Sequence, residues 1–140
     1  MIKFYKDEKE RIIDPLLFSD KAASLAKEIY EAGLGKPDKY GKPKLSKNMR
    51  SQIRKFYDEV LQYNLRANDK ANPVPWHDIH PYINMLVAKA AYAEGRKKVS
   101  PNFTDFIKNS IGQINNSDDL LVFANFFEAF MGYYRQYDAN

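Results

Sequence analysis

Two short rows of cations carry the chemistry that residue spacing suggests most clearly. Lys47, Arg50 and Arg54 lie three and four residues apart, and Lys89, Tyr92 and Arg96 repeat that spacing. A helix turns about 100° per residue, so each trio falls within an arc of about 60° on one face. Guanidinium and ammonium groups in such a row form charge-assisted hydrogen bonds to phosphate oxygens, and the phenol of Tyr92 adds a hydrogen bond or a stacked contact. Both arcs flank a core-facing stripe, so two such helices packed antiparallel could join their rows into one strip. Lys42, Lys44, Lys97 and Lys98 would extend it from the adjoining loops. The same residues also fit a plainer role, with stems along the core edge and charges in water.

The charge distribution favours the phosphate reading. Lys36 to Lys55 contains Lys36, Lys39, Lys42, Lys44, Lys47, Arg50, Arg54 and Lys55 against the single acid Asp38. Lys89 to Lys98 adds four bases against Glu94. The chain as a whole carries only +4, so everything outside these stretches is net acidic. An acidic domain with two basic stretches suits a polyanion held at one place.

Other chemistries find little support. His77 and His80, with Asp78 between them, are too few for a metal site of three or four ligands. Gly33 and Gly35 are not followed by the Lys-Ser or Lys-Thr pair of a phosphate-cradling loop. There is no cysteine, hence no thiolate nucleophile, and no recognisable serine nucleophile setting. No enzyme activity and no cofactor or metal is expected. The charged start, Met1 to Arg11, lacks the apolar core of a signal peptide, and no run of 18 apolar residues occurs. A single cytoplasmic domain over 1–140, without membrane contact, is the expectation.

The elements that must position the two rows read as helices. Their spans are about Ser19–Ala32, Ser46–Asn68, Asp78–Lys97, Pro101–Ile114 and Asp118–Tyr137, with no strand of period two. Ser19, Ser100 and Asn116 or Ser117 are candidate N-caps, and Gly33 stops the first helix. Pro81 is expected in the first turn of the third helix, where its missing N–H costs nothing. Met49, Ile53, Phe56, Val60 and Tyr63 form the apolar stripe of the second. Residues 1–18 form an N-terminal arm, and 34–44 a loop rich in Lys, Gly and Pro. The last helix is apolar nearly all round, so it is either central or completed by a neighbouring chain. The fold class is all-α: a compact bundle of about five helices, open to exchanging helices in an oligomer.

Three motifs resemble a known family, the small subunit of the type III-A CRISPR–Cas effector, or Csm complex. Lys44-Leu45-Ser46 with Gln52-Ile53-Arg54-Lys55-Phe56-Tyr57 is similar to a signature on that family's second helix. Lys89, Ala91-Tyr92-Ala93 and Gly95-Arg96 resemble its next helix end, and Phe123 to Phe130 with Tyr133-Tyr134 its C-terminal helix. Gly132 stands where the family has Ala. The likeness covers roughly residues 44–137.

The resemblance implies a non-catalytic helical bundle, present in several copies beside the backbone subunits. Such a subunit lines the path of guide RNA and target RNA through a basic groove. Lys44, Arg54, Lys55, Lys89 and Arg96 fall in the matched motifs; Lys47, Arg50, Tyr92 and Lys97 are added from helical geometry. Phe126, Phe130, Tyr133, Tyr134 and Tyr137 are the expected subunit contacts, toward backbone and large subunits or copies of the same chain. The main alternative is a helical scaffold or adaptor that never touches RNA.

Overall fold

A computed structural model of the chain describes residues 1–137 and 139. Five helices carry the fold: α1 (Ala22–Gly33), α2 (Arg50–Ala67), α3 (Trp76–Gly95), α4 (Pro101–Ile111) and α5 (Ser117–Tyr134). The all-α bundle inferred from periodicity is therefore present, with one small addition. Tyr5–Asp7 (β1) pairs antiparallel with Ile12–Ile13 (β2), an irregular hairpin that the sequence reading did not expect. Strands of three and two residues are too short to display an alternating pattern.

The last helix is the hub. Leu120, Val122, Phe123, Phe126, Phe127, Phe130 and Tyr134 of α5 are all buried, with α1 and α2 packed against it. Phe106 of α4 reaches the rings of Phe123, Phe126, Phe127 and Phe130 at centroid distances of 5.4 to 6.0 Å. Burying each such ring contributes about 1.5–3 kcal/mol, and each well-oriented aromatic pair adds about 0.5–1.5 kcal/mol. Most of the apolar girth of α5 is thus consumed within one chain, with Leu121 and part of Tyr133 left at the surface.

The N-terminal arm closes this core. Phe4 is fully buried and stacks on Phe123 at 5.9 Å. Gln113 fixes the backbone beside it, accepting from the Phe4 N–H at 3.1 Å and donating to the Ile2 carbonyl at 2.7 Å. On the hairpin, Tyr5 and Arg11 both donate to the buried carboxylate of Asp119, at 2.6 and 2.5 Å. Ser19 is not an N-cap, a correction to the sequence reading. It lies inside a π-helical turn, Leu17–Lys21, which feeds α1 already wound.

Two expected boundaries move for identifiable reasons. The second helix starts at Arg50, not Ser46, because residues before it are bound to other elements. Leu45 bridges Leu34, while the Ser46 and Lys47 N–H groups donate to the Gly33 carbonyl at 2.8 and 3.1 Å. A Cβ on Gly33 would stand 2.4 Å from the Lys47 carbonyl oxygen, so no larger residue fits there without backbone movement. Asn48 then takes the left-handed conformation, φ 61°, which breaks any helix across it. The third helix begins at Trp76, placing Pro81 in the second turn instead of the first. One carbonyl, that of His77, consequently lacks its helical donor. Ser100 and Asn116 cap α4 and α5 as expected, accepting from the N–H groups of Phe103 and Asp119.

Candidate nucleic-acid interface

Helices α2 and α3 enclose a cleft of about 660 Å³, and the conserved geometry of the helix turn explains who lines it. Ile53, Phe56 and Val60 face the core, leaving Gln52, Lys55 and Glu59 on the flank toward α3. From α3 and its end come Lys89, Tyr92, Arg96 and Lys98. Four bases, Lys55, Lys89, Arg96 and Lys98, thus meet two acids, Asp58 and Glu59, for a local excess of two positive charges.

The α3 row behaves as its spacing predicted. Tyr92 is 68% exposed, and the Arg96 Cζ lies 5.7 Å from the centre of its ring, a cation–π contact. The helix ends at Gly95, however, so Arg96 is its C-cap, and Lys97 lies beyond it in a left-handed conformation, φ 61°. Lys89 donates to Glu59 Oε1 at 2.5 Å across the cleft, and this hydrogen bond raises the Lys89 pKa. Lys89 is therefore charged but partly neutralised.

The α2 row does not join it as expected. Arg54 and Lys55 are neighbours in sequence but point about 100° apart round the helix, and only Lys55 lines the cleft. Arg54 is turned toward the other flank and does not line the cleft, although its loose 3.9 Å partner Asp58 does. That flank also carries Tyr57, which packs on Phe127 of α5 at 5.5 Å. Arg50 lies there too, its N–H donating to the Ala139 carbonyl at 2.8 Å. Lys47 precedes the helix altogether, half-buried in the segment against Gly33. The single strip predicted from Lys47, Arg50, Arg54, Lys89 and Arg96 is corrected to a cleft lined by Lys55, Lys89, Arg96 and Lys98, with Arg50 and Arg54 outside its lining.

What brings the first basic stretch to the second is a residue that sequence reasoning missed. The Asn48 N–H donates to the Lys98 carbonyl at 2.9 Å, and its side chain bonds Ile29 and Ser100. Lys47, next to Asn48 in the chain, therefore stands beside the Lys98 end of the cleft, and the base of the Lys36–Lys44 loop leads up to it. An Asn near the expected start of the second helix, a residue type enriched at positive φ, was the available signal. Glu59 was missed as well, although it lies four residues after Lys55 and so on the same face.

Other sequence candidates are settled by their surroundings. Phe126, Phe130 and Tyr134 have no exposed surface, so three of the five expected subunit contacts are spent inside the fold. Tyr134 donates to the Asn48 carbonyl at 2.6 Å, and burial pushes its phenol well above the ordinary range. Tyr133 and Tyr137 are half-buried, with Tyr137 stacked on Tyr30 at 4.5 Å. His80 stacks on Trp76 at 5.0 Å while His77 contacts Asp78 at 3.1 Å. Among the described residues no group of three His, Cys, Asp or Glu side chains could hold a metal ion. No helix among them is long and apolar enough to cross a membrane. A second groove, about 630 Å³ between the arm, α1 and α4, presents Asp20, Glu28 and Asp105 against Lys21, the wrong sign for phosphate.

Comparison with known proteins gives one assignment. No curated protein and no solved structure matches the chain. The family model described as Csm2 Type III-A matches residues 27–140, well over half of the sequence. The chain therefore belongs to the Csm2 Type III-A family, the small subunit of the type III-A CRISPR–Cas effector complex.

Proposed function

We propose that this subunit binds RNA in the effector without cutting it, through the cleft between α2 and α3. Guide and target strands supply sequence recognition by pairing, so the protein need only sense phosphates and strand shape. Lys55, Lys89, Arg96 and Lys98 pair with backbone oxygens, and Tyr92 adds a hydrogen bond or a stacked contact. Lys44 and Lys47 extend the track from the loop beside Lys98, while Arg50, Arg54 and Lys97 supply weaker, longer-range attraction. The observation that carries this reading is the convergence of four cations, from α2, α3 and the turn after α3, on one concave surface. Tyr133 and Tyr137 keep surface to offer backbone or large subunits, or another copy of the chain.

The test is a titration of the purified subunit with RNA at several salt concentrations. Weak binding is expected, indifferent to base sequence, with log affinity falling by about 0.7–0.9 per phosphate contact for each log unit of salt. Binding that survives high salt, or no binding alongside tight capture of an acidic protein, would favour the scaffold alternative.

A further inference from the structure

We propose that Tyr40 is a stacking platform for one unpaired nucleobase, held out on the basic loop between α1 and α2. The proposal deepens the RNA-binding reading and rests on it for the class of ligand. The loop, expected to be merely exposed, is internally braced. Its base is the antiparallel bridge between Leu34 and Leu45, reinforced by the Gly35 N–H donating to the Lys44 carbonyl at 2.8 Å. Higher up, the Asp38 N–H donates to the Lys42 carbonyl and the Gly41 N–H to the Asp38 carbonyl, both at 2.9 Å. Asp38 Oδ1 accepts from the N–H groups of Tyr40 and Lys42, at 2.8 and 2.9 Å. Gly41, at φ 78°, supplies the left-handed residue that closes the turn.

This brace holds Tyr40 80% exposed, more than any other large apolar side chain among the described residues. Lys39 Nζ sits 5.1 Å from the ring centre, which leaves the remaining ring surface open. Lys36, Lys42 and Lys44 are exposed on the same loop, and the one local acid, Asp38, accepts from the backbone N–H groups of Tyr40 and Lys42. An acidic protein would need only the lysines. A solvent-facing aromatic ring among them, carried on a braced backbone, matches the flat face that every base presents, flanked by phosphates on either side.

The experiment measures fluorescence anisotropy of the full chain with three probes: single-stranded oligouridylate, an abasic ribose-phosphate strand of equal length, and fully paired RNA. Tyr40→Ala should weaken oligouridylate binding about tenfold and leave the other two unchanged, with Tyr40→Phe close to the parent. No change, an equal loss on the abasic strand, or failure of Tyr40→Phe to retain affinity overturns the proposal. Lys55→Glu separates it from the cleft reading. If that variant weakens binding while Tyr40→Ala does not, stacking alone fails; the reverse pattern sinks the cleft and leaves the platform standing. A chain that binds none of the three probes overturns both.

Discussion

Asn48 and Ser100 are joined twice inside the protein: Asn48 Oδ1 accepts the Ser100 N–H at 2.8 Å, and Nδ2 donates to Ser100 Oγ at 2.9 Å. Both residues are buried, and Nδ2 also donates to the Ile29 carbonyl at 2.9 Å. One side chain thereby ties α1, the start of α2 and the cap of α4. It does so from a left-handed backbone that Asn accepts more readily than most residues. The alignment of the two basic stretches depends on this knot.

Replacing Asn48 tests that dependence. Asn48→Ala orphans the Ser100 N–H, removes the side-chain donor to the Ile29 carbonyl and strains the backbone, an expected cost of about 2–4 kcal/mol in urea unfolding. Asn48→Gly loses the same hydrogen bonds without the strain, so it should recover about 1 kcal/mol of that. Equal costs for the two variants would show that the left-handed conformation adds nothing.

The hairpin latch should leave a mark on stability at both ends of the pH scale. Burial pushes the Asp119 carboxyl up, but hydrogen bonds from Tyr5, the Asn115 N–H and Arg11 outweigh it and hold the pKa below the ordinary value of 3.8. A depressed folded pKa means stability present above that value and lost as pH falls through the folded one. Tyr5 is the opposite case, pushed up to about 12 from 10.0 by burial and by its bond to Asp119. Its contribution is complete below pH 10 and fades as pH rises toward 12. Denaturation across pH should show both limbs, with Asp119→Asn flattening the acid one and Tyr5→Phe the alkaline one.

Charge variants should sort the two faces of α2. Lys55→Glu and Arg96→Glu should each weaken RNA binding about tenfold at low salt, and Arg54→Glu distinctly less. Glu59→Gln releases Lys89 and should strengthen binding about two- to fivefold. All four positions carry solvent-accessible side chains, so melting temperatures should stay nearly constant. An Arg54→Glu effect as large as that of Lys55→Glu would move the interface to the other flank.

Most helices were readable because their cause is local. Ser100 and Asn116 cap where caps belong, and the spacing of Ile53, Phe56 and Val60 identifies the buried face of α2. Periodicity gives the phase of each helix but not the side on which its neighbour packs. That is why Arg54 looked equivalent to Lys55. The start of α2 was misread for a related reason: Met49 fits the apolar stripe, yet the residues before it are held by Gly33 and Lys98, partners distant in sequence. The β1–β2 hairpin has no pattern of its own and is positioned by Asp119, over a hundred residues away.

The helix on which the bundle closes is also the last of the five to leave the ribosome. Phe4 emerges well ahead of its ring partner Phe123, which appears 119 residues later. At about 5–20 residues per second the nascent chain spends several seconds with its apolar faces in water. Assembly of this domain thus waits for α5, and protection of the unfinished domain falls to whatever stands at the ribosomal exit.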